Sequence, residues 1–267
     1  LKILPAAPSD EDVHQIVRNA FRQASAVFVE TFCFPRITPG NIDGWMRLHG
    51  QDHIHEALGK GRGAILVLVH FGANQMVMAA LGHRGYRIHQ IGSLPDDWHR
   101  LSGTRPSCFD RKIFQMRLSL EQSLPAEFVY IDRSMRPVYN CLKHNEIMLL
   151  AADGRAGTRF LQTTMCGRTM NLSAGPFRIA HATGAPLLPV FPVRDTDGVH
   201  DLYIESPVDP ETDDSSGAWP EQAASVYGRR LTEWVRSFPD HYVMLMAEAA
   251  IRSRIDPVPL FEDIRNE

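Results

Sequence analysis

Gly63-Ala-Ile-Leu-Val-Leu-Val-His70-Phe-Gly-Ala-Asn-Gln75 decides how the rest of this chain is read. From Ala64 to Val69 every residue is apolar, most are β-branched or leucine, and nothing alternates. Such a run fits a strand buried on both faces, as in a parallel sheet. Gly72 and Asn74 break it, and Met76-Val-Met-Ala-Ala-Leu81 resumes as a helix. His70 is therefore expected at the carboxyl end of a central strand, just before a helix N-terminus. Open α/β sheets bind their ligands at that edge. A single histidine at a strand end is more often a hydrogen-bonded rim residue, so its flanks have to carry the argument.

Upstream, Ser9-Asp-Glu-Asp12 reads as a capped helix start with acids in the first turn. Val13, Ile16, Val17, Ala20, Phe21, Ala24, Val27, Phe28 and Phe32 follow at helical spacing. They predict one long amphipathic helix packed on the core, ended by Pro35 and Pro39. The lesser reading is a membrane-surface helix, disfavoured because the polar face is not rich in Lys or Arg. Gln51 to Leu58 predicts a short helix. Gly59-Lys-Gly-Arg-Gly63 precedes a strand instead of following one, so it is not a dinucleotide fingerprint. His53 and His55 are two apart and make a poor metal pair on a helix.

Downstream, Gly85–Ile91 and Glu127–Ile131 read as strands, and Phe109–Leu124 and Pro137–Lys143 as helices. Glu146-Ile-Met-Leu-Leu-Ala-Ala-Asp153 is a further strand ending in an acid. Pro95 to Pro106 and Gly154 to Met170 are expected as loops. Ser173-Ala-Gly-Pro176 opens a helix with a serine cap, and Gly184 stops it. The prolines of Ala185–Arg194 suggest an edge strand or a bulge. A turn at Asp195-Thr-Asp-Gly198 leads back into Asp201–Glu205. Asp209 to Pro220 is expected as an acidic loop, Glu221 to Phe238 as a helix, and Tyr242–Met246 as a last short strand. Strands alternating with helices predict an α/β fold, a single domain over 1–267 with a mainly parallel central sheet flanked by helices. Residues 1–44 form its N-terminal amphipathic helix and connection.

With 267 residues, 44% apolar and 22% charged, the chain can build a sizeable core. A net charge of −3 gives no global reason to expect nucleic acid. Cys33, Cys108, Cys141 and Cys166 are widely spaced with no CxxC pair, which fits a reducing compartment and no zinc ribbon. No apolar run approaches the ~20 residues of a membrane-spanning helix. No Gly-x-Ser-x-Gly elbow is present, so a serine nucleophile is not indicated. His70 and Asp153, each at a strand end, can converge at one sheet edge, where a histidine with a hydrogen-bonded partner takes a proton from a hydroxyl.

Taken together, several blocks resemble the lysophospholipid acyltransferase superfamily. The nearest branch is that of the lipid A late acyltransferases and mycobacterial phosphatidylinositol mannoside acyltransferases. Gly59–Gln75 is similar to its catalytic block, Met148–Asp153 to its acid-ended strand, Gly175–Arg194 to its helix–strand block and Phe238–Tyr242 to its Tyr-Pro-Glu-Gln-Tyr segment. The resemblance spans roughly residues 45 to 245. It implies an enzyme that moves a fatty acyl group from acyl-carrier protein or acyl-CoA to a hydroxyl or amine acceptor, with His70 as general base. It implies no cofactor, no metal and no nucleic acid. Cytoplasmic placement is expected, with peripheral contact at the inner membrane face as an addition. By the family pattern a carboxylate five residues after the histidine orients the ring; Gln75 stands there instead. Three readings follow. Asp153 or Glu146 completes the dyad, or the acceptor is an amine needing less help, or the protein is a weakened or non-catalytic relative that binds lipid or acyl thioester. Gln75 is carried as the ring partner and Asp153 as the candidate acid. Phe71, Gly72 and Asn74 are carried as substrate contacts. Arg155, Arg159, Arg168 and Arg178 are carried as ligands for a phosphate or phosphopantetheine, and Arg194 as a basic residue at the site edge.

Overall fold

Alternate residues of the unbroken apolar run feed two cores, one on each face of the sheet. The computed structural model describes residues 9–92, 107–130, 134–155, 157–195, 197–210, 217–253 and 256–262. In strand β2 (Ala64–Leu68), Ile65 and Val67 join the core containing Phe71, Phe177 and Tyr227. Ala64, Leu66 and Leu68 join the other, with Ile42, Met46 and Ile54. β5 (Ile147–Ala151) divides the same way: Met148 and Leu150 face one core, Ile147 and Leu149 the other. No polar face is left, so no alternation is visible in the sequence.

The remaining strands are β1 (Met46–His49), β3 (Ile88–Gly92), β4 (Glu127–Tyr130), β6 (Phe160–Met165), β7 (Arg168–Ser173), β8 (Leu187–Arg194) and β9 (His200–Ile204). The helices are α1 (Asp10–Thr31), α2 (Gln51–Gly59), α3 (Met76–Gly82), α4 (Cys108–Glu121), α5 (Arg136–Lys143), α6 (Gly175–Thr183), α7 (Trp219–Ser237) and α8 (Val243–Arg252). A seven-stranded sheet runs β1-β9-β8-β2-β5-β3-β4. Its strands are parallel except across the β8–β9 hairpin, where direction reverses. The fold is thus α/β, with a mainly parallel sheet flanked by helices, as the alternating pattern predicts. The loop expected at Pro95–Pro106 and most of the acidic loop after Asp209 lie outside the described residues.

Five local expectations are corrected. Gly154–Met170 is not all loop, because β6 and β7 form an antiparallel hairpin. Its two-residue turn is Cys166-Gly167, with φ of 52° and 79°. Positive φ at both positions is normally supplied by Asn-Gly, so Cys-Gly hid the hairpin. Tyr242–Met246 is not a strand. The apolar run continues through Ala247, Glu248, Ala249 and Ala250, strong helix formers, and folds as α8. β8 is no edge strand: it lies between β9 and β2, with Pro189 and Pro192 buried. Each proline drops one donor only, and the Pro189 carbonyl still accepts from Glu205 N–H at 2.9 Å. Ser173 does not cap α6, whose N-cap is Ala174 with no side-chain bond. Finally, α1 has the predicted capping box but does not bury its apolar face in the core. Val17, Phe21, Phe28, Val29 and Phe32 are exposed, and so are Phe109 and Met116 on α4.

Candidate active site

The register of two central strands brings the candidate base and acid together. Leu68 on β2 pairs with Ala151 on β5, and Ala152 N–H donates to Leu68 carbonyl at 2.7 Å. Two residues further along each strand stand His70 and Asp153. His70 Nδ1 lies 2.8 Å from Asp153 Oδ1, and His70 backbone N–H donates to Asp153 Oδ2 at 2.8 Å. A carboxylate only accepts, so Nδ1 carries the hydrogen and Nε2 keeps its lone pair. Tyr242 hydroxyl adds a third donor to Oδ2, at 3.3 Å. The Asp153 side chain is fully buried while that of His70 is 51% exposed. The candidate base therefore faces solvent and its partner does not.

Asp153 holds the imidazole pKa above its ordinary value, through its charge first and its hydrogen bond as well. Desolvation of the ring's inner side opposes this. Glu248 on α8 adds to the rise and Arg117 on α4 works against it. Burial, then the charge of Asp153, push the Tyr242 phenol well above its usual range, so this hydroxyl remains a donor.

The loop after His70 is fixed by packing. Phe71 is fully buried, stacked on His241 with ring centroids 5.3 Å apart and edge-on to Phe191 at 5.9 Å. Gly72 N–H donates to His241 carbonyl at 3.0 Å. His241 Nε2 in turn accepts from Arg194 N–H at 3.0 Å, which fixes the hydrogen on Nδ1, 3.1 Å from Asp240 Oδ1. The segment Pro239–Tyr242 thus clamps the histidine loop and supplies the third donor to Asp153. Its role as a partner of Asp153 carries no sequence signal beyond the family block.

The other candidates are not all gathered here. Gln75 is turned to α4, where its amide donates to Glu121 Oε1, an atom that also accepts from Arg117 Nε at 2.8 Å. The described hydrogen bonds of His70 go to Asp153. Glu146, the other acid considered, contacts His89 and Arg87 at the opposite edge of the sheet. Asn74 is half-buried in the turn leading to α3. Arg155 donates to the carbonyls of Asn171 and Val258 and lies over the Phe160 ring at 4.0 Å, which spends its donors on the fold. Arg194 reaches Gln23 at 2.9 Å, Gly198 carbonyl at 3.2 Å and Glu30 at 2.6 Å, tying α1 to β8. Arg159 and Arg178 are exposed, and Arg168 is half-buried at the start of β7.

Because Gln75 meets Glu121 and not the histidine, Gln75→Ala is expected to change kcat/KM by less than about tenfold and to cost about 1 kcal/mol of stability. Parallel turnover and denaturant melts check this. A loss of several hundredfold in rate would place residue 75 in the dyad.

Residues 2–248 match the family described as bacterial lipid A biosynthesis acyltransferase. Over 206 residues the chain is 27% identical to a phosphatidylinositol mannoside acyltransferase of Mycolicibacterium smegmatis (strain ATCC 700084 / mc(2)155). The match covers 76% of this chain and 62% of that protein, so the chain spans less than two thirds of that relative's length. With nearly all of its residues matched by the family, the chain belongs to the bacterial lipid A biosynthesis acyltransferases.

Proposed function

We propose that this protein transfers a fatty acyl group from a thioester, carried by acyl-carrier protein or coenzyme A, to a hydroxyl or amine of a lipid acceptor. The observation that carries the reading is the His70–Asp153 pair at the ligand-binding edge of the sheet in a chain of this family. Asp153 accepts a hydrogen bond from Nδ1–H and so aims Nε2 outward, where the acceptor's proton is removed. The acceptor oxygen or nitrogen attacks the thioester carbonyl, the carbon–sulfur bond breaks, and the imidazolium returns its proton to the leaving thiolate. Asp153 fixes the tautomer and stabilises the imidazolium, as the acid of a catalytic triad does.

The non-catalytic reading rested on the missing charge at position 75. Asp153, 2.8 Å from His70 Nδ1, supports the catalytic reading by offering a charge there from another residue. A lipid acceptor suits the surface beside the site. Exposed Phe21, Phe28, Val29 and Phe32 on α1 and Phe109 on α4, two helices in contact, offer apolar area to a membrane face. No helix among the described residues is long and apolar enough to cross a membrane. That apolar area supports peripheral contact with a membrane face as the proposed placement, and the exposed arginines Arg159 and Arg178 remain available to acceptor or donor phosphates.

Thiol release from an acyl thioester, measured with and without an acceptor panel including phosphatidylinositol mannosides, tests the reading. Acceptor-dependent release is expected, and His70→Ala should reduce it about 10²–10⁴-fold. Wild-type rates in His70→Ala would dismiss His70 as the base.

A further inference from the structure

The sheet edge opposite His70 holds a group of ligand-type side chains with no part in acyl transfer. His89 lies on β3, Glu127 opens β4, Glu146 stands one residue before β5, and Cys141 covers them from α5. The ligand atoms of His89, Cys141 and Glu146 lie within 4.8 Å of one another. His89 and Cys141 are buried, and the Glu146 side chain is 15% exposed. His89 Nε2 lies 2.7 Å from Glu146 Oε2, and its Nδ1 faces Oε2 of the mostly exposed Glu127 at 3.5 Å. Arg87 reaches the other oxygen of Glu146 at 3.2 Å. A cavity of about 420 Å³ opens beside them, with Asn140 and His144 on its wall.

We propose that His89, Cys141 and Glu146 bind one zinc-class divalent cation, with Glu127 orienting the His89 ring from behind. A thiolate, an imidazole and a carboxylate form a mixed set that suits zinc or cobalt and discriminates against magnesium and calcium. Zinc sits about 2.0–2.3 Å from such ligands, so ligand atoms up to 4.8 Å apart need an inward movement of roughly 1 Å. The Nε2–Glu146 contact opens to admit the ion. On binding, the Cys141 thiol gives its proton to solvent, and the neutral His89 ring takes the tautomer with its hydrogen on Nδ1, facing Glu127. That carboxylate–histidine–metal order is the common outer arrangement at zinc sites. Two glutamates offset by Arg87 leave one negative charge before the ion binds; burial and both glutamates keep Cys141 a thiol until then, and the thiolate formed on binding adds the second. The fourth position faces the cavity and takes water. Seven residue steps along β5 and its flanks separate Glu146 from Asp153, roughly 23 Å at ~3.3 Å per residue, so the ion bears on the fold and not on acyl transfer.

The test is titration of tag-free, chelator-stripped protein with Co²⁺ followed by absorbance. Zn²⁺ is measured by competition with a chromophoric chelator, and Mg²⁺ serves as control. One equivalent is expected, with a thiolate-to-cobalt charge-transfer band in the near ultraviolet and Zn²⁺ far tighter than Mg²⁺. Cys141→Ser should abolish the band. Glu127→Gln should weaken Zn²⁺ binding about 10–100-fold with the band retained. The proposal is overturned if folded wild type shows no charge-transfer band, if Zn²⁺ binds no tighter than Mg²⁺, or if the band survives in Cys141→Ser. The first two outcomes need no variant, so the test stands even if Cys141→Ser does not fold.

Discussion

Asp153→Asn is expected to lower kcat/KM for acyl transfer by about 10⁴, the scale of the same exchange in a serine-protease triad. The new side chain is nearly isosteric and can still accept from His70 and Tyr242, so the buried pocket should hold its shape. Its amide can also donate. Donation to Nδ1 moves the hydrogen to Nε2 and removes the lone pair that faces solvent. Even with the right tautomer, no negative charge stabilises the imidazolium. The pH dependence supplies a second readout. The wild-type imidazole pKa is raised chiefly by Asp153, so the active, neutral ring is reached only at higher pH. In Asp153→Asn the rising limb of the residual kcat/KM should move to lower pH. Stability follows with the sign of a raised histidine pKa. The pair's contribution is full below the unfolded-state value near 6.5 and is lost as pH rises through the higher folded-state value. Denaturant melts across that window should slope downward in wild type and less so in the variant. Activity within tenfold of wild type, with an unmoved pH limb, would remove Asp153 from the reaction.

The central sheet was legible because burial on both faces leaves a strong mark. Ala64–Val69 and Ile147–Ala152 are apolar throughout, and the polar residue ending each run points to the edge where they meet. What the residues could not give was which acid completes the pair. Gln75, five residues away, is carried as the ring partner, and Asp153, eighty-three away, or Glu146 as the acid. The register of β2 and β5 sets Asp153 against His70 and leaves Glu146 at the other end of β5, and register is a property of two strands together. Several failed expectations share this origin. The Cys166-Gly167 turn works with an unusual residue at positive φ, and its Cys166 N–H is held by Thr232 Oγ1 at 3.0 Å, a contact from α7. Tyr242–Met246 has an apolar run that suits strand and helix equally, and the helix formers Ala247–Ala250 that follow it carry the chain into α8. The periodicity of α1 correctly fixed one apolar face, but periodicity cannot say whether protein or something else covers it. His89, Cys141 and Glu146 are likewise scattered in sequence and meet only through β3, α5 and β5.

Gly72→Ala is expected to destabilise the fold by about 3–5 kcal/mol, lowering Tm by roughly 10 °C or more. Gly72 has φ of +53°, where a side chain alone costs about 1–2 kcal/mol. The larger part comes from what an added Cβ would meet: Pro192 carbonyl oxygen at 2.3 Å and His241 Cδ2 at 3.0 Å. Pro192 belongs to β8 and pairs with Leu202 of β9, in a strand that β2 also holds at Leu187–Pro189, so its carbonyl has little room to retreat. His241 is fixed by Arg194, Asp240 and the Phe71 ring. The strain therefore falls on the loop itself, including the Gly72–His241 bond that closes it two residues after the proposed base. A fall in kcat below the loss attributable to unfolding is expected, since His70 is aimed from this loop. Gly85→Ala provides the comparison: its φ is +91°, yet nothing lies within 4 Å of its added Cβ. That variant should lose only the conformational share, about 1–2 kcal/mol, and keep full activity. Thermal melts and turnover of both variants decide the matter. Equal losses in the two would mean that the approach of β8 to the histidine loop is looser than the contacts at Gly72 require.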